Sequence, residues 1–144
     1  MPRTVSIMAD HNQMTINLQD LMPFARACGI RILTATSAEV RGEMHWAPEL
    51  CTAAGVMHGG ALITFADTLG AMCAVFNLPS GATTTTIESK TNFFRPLRSG
   101  SAHAVSVPLH VGRNTVVVQT DVRDSENRRI ALVTQTQAVL AARS

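Results

Sequence analysis

Asp67 lies in "VMHGGALITFADTLGAMCAV", residues 56–75, among Leu62, Ile63, Phe65, Leu69, Met72 and Val75. An ionised carboxylate in apolar surroundings carries a cost comparable to the net stability of a small domain, so the position needs a compensating reason. The run opens on His58, Gly59 and Gly60. Paired glycines weaken a helix start, yet they let another group approach its backbone N–H groups closely. Together these residues supply the two parts of an acyl transfer. N–H donors and the helix dipole stabilise an oxyanion, while a carboxylate attacks the acyl carbon or activates water to do so.

Spacing limits how the parts can cooperate. Gly60 and Asp67, seven residues apart, share a helix face but stand about 10 Å apart along its axis. A reacting carbonyl must lie roughly 3 Å from both its donor and its attacking group, so one chain's Gly60 N–H and Asp67 cannot serve the same carbonyl. Two such helices, antiparallel about a two-fold axis, would set the helix start of one subunit opposite the Asp67 of the other. A structural alternative stays open: Asp67 is neutralised by a buried partner or bonds locally through Thr64 or Thr68, and the glycines only permit close packing.

The elements that must carry these residues follow from periodicity. A polar arm, residues 1–17, precedes "DLMPFARACGI", where Leu21, Met22, Phe24, Ala25 and Cys28 fall near one helical face and Gly29 supplies a stop. Residues 30–46 alternate as two strands, with Ile30, Ile32 and Thr34 on one side of the first and Val40, Gly42, Met44 and Trp46 on one side of the second. "APELCTAAG" is a loop. The long helix is expected from about Gly59 to Phe76, ended by "NLPSGA". Strands at Thr83 to Arg95, Ala102 to Val111, Thr115 to Arg123 and Arg129 to Leu140 follow, joined by the turn sequences "GRN" and "DSEN". Pro108 within a strand implies a bulge or an edge. A helix apolar nearly all round must be covered on most sides, and a curved antiparallel sheet wrapped around it, an α+β arrangement, is the simplest cover.

Composition narrows the function. The chain of 144 residues is 46% hydrophobic and 15% charged, which suits one folded domain and excludes disorder. A net charge of +2 with scattered arginines, 4% aromatic residues and no tyrosine disfavour a nucleic-acid surface. No stretch is long and apolar enough for a membrane span and the N-terminus has no signal-peptide pattern, so no membrane partner and a cytoplasmic location are expected. Cys28, Cys51 and Cys73 are odd in number without a CxxC spacing, which indicates neither disulfides nor zinc. Cys51 and Cys73 have no nearby basic group to mark a nucleophile. His103 and His110, an odd number apart on one strand, are expected on opposite faces, and His11 and His45 have no partners at a ligand spacing, so no metal is expected.

Three blocks, "GVMHGGALITFADT", "TTTTIESKTNFFRPLRSG" and "HVGRNTVVVQTDVRD", in this order between about Leu33 and Leu140, resemble the hotdog-fold acyl-CoA thioesterases, in particular their PaaI-like branch associated with phenylacetate metabolism. The resemblance implies a hotdog fold over the whole chain and a homodimer with a continuous sheet, often assembled as a homotetramer. It also implies an acyl-CoA substrate, with no other cofactor, bound at the subunit interface. Gly60 matches the oxyanion-hole glycine, and Asp67 the acidic residue that acts as nucleophile or general base. His58 matches the motif histidine that shapes the loop. Thr86, with Thr85, falls where relatives place a Ser or Thr near the attacking water. Six residues before His58 the family commonly carries Asn or Gln, whereas this chain has Thr52, whose hydroxyl is shorter and offers no amide NH2. Arg95 and Arg113 fall near positions that face the nucleotide of coenzyme A, with Arg98 a weaker candidate.

The favoured reading is a thioesterase acting on an aryl- or medium-chain acyl-CoA, with Phe65, Phe93 and the first helix as candidate pocket residues. The alternatives are a hotdog-fold hydratase or dehydratase, which pairs a helix carboxylate with a catalytic histidine at another spacing, and a non-catalytic acyl-CoA binding module, which Thr52 would permit.

Overall fold

A computed structural model of the protein describes residues 22–141. The expected N-terminal arm, His11 and Leu21 lie outside them. The described chain runs α1 (Pro23–Ala27), β1 (Ile30–Ala35), β2 (Val40–His45), two short 3-10 turns, α2 (Gly59–Val75), β3 (Thr83–Phe93), β4 (Ser101–Val111), β5 (Thr115–Arg123) and β6 (Arg129–Leu140). The strands form one antiparallel six-stranded sheet in the order β1-β2-β4-β5-β6-β3. It is the curved α+β hotdog arrangement, with α2 against its inner face. Among the described residues no helix is long and apolar enough to cross a membrane.

The core forms where α2 meets that face. Leu62, Phe65, Ala66, Leu69, Met72 and Cys73 of the helix are buried against Val40 and Met44 of β2, Ala102 and Ala104 of β4, Val116, Val118 and Val122 of β5, and Val133 of β6. Each large aliphatic or aromatic side chain so buried contributes about 1.5–3 kcal/mol. Gly42 of β2 lets the helix come close: a Cβ there would stand 3.1 Å from both methyls of Leu69 and 2.8 Å from the Arg31 carbonyl. α1 is shorter than its pattern implied. Pro23 opens it, Gly29 at φ +70° ends the turn after it, and Ala25 and Cys28 make its buried face. Phe24, expected on that face, is 67% exposed, because five residues cannot bring both Phe24 and Ala25 onto one core-facing line.

Register shifts interrupt four of the five strand pairings, and two of them reset an expected alternation. One falls between Ile32 and Thr34, so that Ala35 rather than Thr34 completes the buried side of β1. The other lies between Pro108 and His110 of β4, an interior strand, so Pro108 marks a bulge and not an edge. His110 then pairs with Val117 and His103 with Arg123, which puts both histidines on the outer face. The expectation of opposite faces fails because a bulge adds one residue to the count. β3 is an edge strand, and nine of its eleven residues are exposed.

Candidate active site

Asp67 is half-buried on the side of α2 that the sheet leaves uncovered, in a stripe with Gly60, Ile63, Thr64 and Ala71. Neither local threonine answers its charge. Thr64 Oγ1 donates to the Gly60 carbonyl at 2.9 Å and Thr68 Oγ1 to the Thr64 carbonyl at 2.7 Å. The partners come from the strands instead: Asp67 Oδ1 accepts from Thr86 Oγ1 at 2.9 Å and from Gln135 Nε2 at 3.1 Å. Oδ2 accepts from no group among the described residues. One carboxylate oxygen is therefore anchored and the other is open.

The anchor extends into β6. Gln137 Nε2 donates to Thr86 Oγ1 at 2.8 Å, and Gln137 Oε1 shares the Thr84 hydroxyl proton, at 3.1 Å, with the Ala138 carbonyl at 2.8 Å. Gln135 and Gln137 are both buried, in phase with Val133 on the inner face. The Gln135 amide lies where a side chain at position 70 would stand, and Gly70 leaves that space. Its Oε1 has no protein partner among the described residues, a condition that costs about 1–3 kcal/mol in a protein interior. Sequence reasoning passed over both glutamines. Their signal was two amides at i and i+2 in the apolar phase of a strand.

The helix start is capped from within. His58 is the N-cap of α2, and its Nδ1 accepts the Gly60 N–H at 2.7 Å. A neutral imidazole in that role carries its proton on Nε2. The Gly59 N–H has no acceptor among the described residues, and the Phe93 ring lies over Gly59, 3.1 Å from where a Cβ would sit. Thr52 is exposed in the loop before the helix, its N–H donating to the Val56 carbonyl at 2.8 Å.

The remaining candidates separate along the sheet. Thr86 pairs with buried Gln137 on the inner face, whereas Thr85 pairs with Ala138 and points outward, away from Asp67. Arg95 Nη1 donates to the Arg129 carbonyl at 3.0 Å, at the end of β3 that packs on the helix start. Arg113 is exposed in the β4–β5 turn beside Thr115, which pairs with Ala138, the end nearer Thr86. Measured along β6, the two arginines stand roughly 30 Å apart. Arg98 Nη1 straps the loop by donating to the Ala54 carbonyl at 2.8 Å. Phe65 is wholly buried in the core and lines no pocket, because the sheet covers its side of the helix.

Two surface concavities of about 300 and 320 Å³ lie elsewhere, one in the loops around Leu97 and Ser125, the other on the outer face around Arg41 and His103. Neither includes Asp67, Thr86 or His58. Burial pushes the Cys73 thiol up to about 11 and raises Cys28 as well, which keeps both protonated at neutral pH.

Comparison with known proteins agrees with the fold. The thioesterase superfamily model matches residues 54–131, more than half of the chain. A Haemophilus influenzae protein that carries a provisional esterase name is 35% identical over 86 residues, 60% of this chain and 62% of that one. The chain spans about three fifths of the length of the first curated relatives it matches. The crystal structure of a thioesterase from the same organism superposes with a TM-score of 0.81 at 27% identity, covering 92% of this chain and 96% of that chain. The E. coli PaaI protein from the phenylacetic acid degradation operon shares the fold, with a TM-score of 0.78 at 20% identity over 87% of this chain and 89% of that one.

Proposed function

The chain belongs to the thioesterase superfamily, and on that premise we propose that it hydrolyses the thioester of an aryl- or medium-chain acyl-coenzyme A to the free acid and coenzyme A. The observation that carries the reading is Asp67, held through Oδ1 with Oδ2 open, on the same uncovered stripe as the start of α2. In the reaction the acyl C–S bond breaks and a C–O bond forms. Asp67 either takes a proton from the attacking water and passes it to the departing thiolate, or attacks the acyl carbon to form an anhydride that water then cleaves. The thioester oxygen is stabilised at the helix start by the Gly59 and Gly60 N–H groups, the second taken over from His58 Nδ1.

Reach requires two chains. A second copy packed antiparallel on the uncovered stripe of α2 and on edge strand β3 sets the helix start of one protomer against the Asp67 of the other, and pairs of such dimers would make the tetramer. The same operation brings Arg95, which travels with the helix start, toward Arg113, which travels with Asp67. Both are exposed cations suited to the phosphates of coenzyme A. Thr52, exposed beside the helix start, offers a hydroxyl to the thioester or to water.

The test is release of free thiol from benzoyl-, phenylacetyl- and hexanoyl-CoA by the wild type and by Asp67→Asn. The expected result is turnover of at least one thioester and a loss of about 100-fold or more in the variant. Full activity in Asp67→Asn overturns the reading. Saturable binding of these thioesters by the wild type without turnover would replace the enzyme with a binding module.

A further inference from the structure

Beyond Asp67 itself, the glutamines of β6 have a placement that core packing does not explain. An apolar side chain of like volume would fill either inward position without a hydrogen-bonding requirement, and at Gln135 the amide leaves its Oε1 unpartnered while its Nε2 reaches Asp67. The site for that amide is prepared on the helix, where Gly70, one turn beyond Asp67, leaves the room a Cβ would take.

Gln137 acts one bond further away. Its NH2 donates to Thr86 Oγ1 at 2.8 Å, while its Oε1 faces the Thr84 hydroxyl, whose one proton is shared with the nearer Ala138 carbonyl. Thr86 Oγ1, accepting from that NH2, points its single proton at Asp67 Oδ1. The hydroxyl is therefore committed to the carboxylate.

We propose that Gln135 and Gln137 are positioning residues: their amides fix Asp67 through Oδ1, one directly and the other by way of Thr86, and so present Oδ2 to the thioester. The inference rests on the reading of Asp67 as the catalytic carboxylate. Its signature is a loss in kcat rather than in KM, since neither amide reaches the open side of Asp67.

The experiment is steady-state hydrolysis of whichever of benzoyl-, phenylacetyl- and hexanoyl-CoA the wild type turns over fastest. Gln135→Met, Gln137→Met, Thr86→Val and Thr86→Ser are compared, and each glutamine variant is repeated in an Asp67→Asn background. Loss of positioning lowers kcat by about 10- to 100-fold in the two methionine variants and in Thr86→Val, with KM within about two-fold. Thr86→Ser, which keeps the hydroxyl, stays within about three-fold, and in the Asp67→Asn background the methionine variants add no further loss. Folded methionine variants with wild-type kcat, or with a change confined to KM, overturn the inference while an inactive Asp67→Asn leaves the Asp67 reading intact. Activity in Asp67→Asn, or no turnover by the wild type, overturns both. If a methionine variant does not fold, the Thr86 pair decides, at an exposed position of the edge strand: a Thr86→Val kcat not lowered by at least about three-fold relative to Thr86→Ser overturns the relay through Thr86.

Discussion

The imidazole Nδ1 of His58 holds the backbone N–H of Gly60 at 2.7 Å. The donor best placed to meet a thioester oxygen is thus closed by the cap of its own helix, and a ligand must compete with that cap. His58→Ala removes the cap and should lower stability by about 1 kcal/mol, read by thermal denaturation. His58→Asn, which caps well, should restore the melting temperature. A His58→Ala protein as stable as the wild type would show that the cap adds nothing.

A composite site predicts complementation. Asp67→Asn and Gly60→Pro, which removes the N–H proposed for the thioester oxygen from the first turn of α2, place their defects in opposite halves of each site, so a mixed dimer has one intact site and one doubly defective site. Unfolding and refolding equal amounts together should return about a quarter of wild-type thioesterase activity, since half the dimers are mixed. Activity no greater than the mean of the two separate variants would place the whole site in one chain.

Gly70→Ala should couple packing to catalysis. The added Cβ falls on the Gln135 amide, which is seated in the core and has little freedom to move. The expected outcome is a loss of about 1–3 kcal/mol together with lowered kcat, measured by denaturation and thiol release. Gly70→Ala in Gln135→Ala, where the clash is absent, should recover part of the stability relative to Gln135→Ala alone.

Acid stability should depend on Asp121. Hydrogen bonds from Arg129 above all, then from Arg123, hold its carboxyl below the ordinary value of 3.8 against the opposing effect of burial. A depressed folded value adds stability at pH above 3.8 that is lost as pH falls through the folded value. Asp121→Asn should therefore lower the melting temperature at pH 7 by a few degrees and flatten its decline below pH 3.8. Equal melting temperatures at pH 7 would mean that the pairs, partly open to solvent, contribute nothing.

Thiol labelling should sort the cysteines by burial. Cys73, pushed up to about 11, and Cys28 are buried thiols that should react with a disulfide reagent only after denaturation. Cys51, half-buried, should be the first to react in the native protein. Rapid labelling of Cys73 in the folded state would contradict the packing of α2 on the sheet.

The sequence by itself determined the elements and the chemical parts. Apolar residues on all sides of residues 59–75 required a covering sheet, β-branched alternation marked the strands from 83 to 140, and Asp67, His58, Gly60 and Thr86 were legible because each residue type was out of place or in a motif. Parity failed at His110, because a bulge is a backbone event that alternation does not record. That Phe65 is buried under the sheet and that Thr85 faces away from Asp67 were not legible either, since both depend on which strands cover the helix and in what register. Tertiary structure alone decided that Asp67 is answered by β3 and β6, from residues 19 and 68 positions away, rather than by Thr64 or Thr68. It also decided that Gly60 is capped by His58. Hydrogen bonds act over about 3 Å in space, and only the folded sheet brings Gln135, Thr86 and Asp67 within that reach.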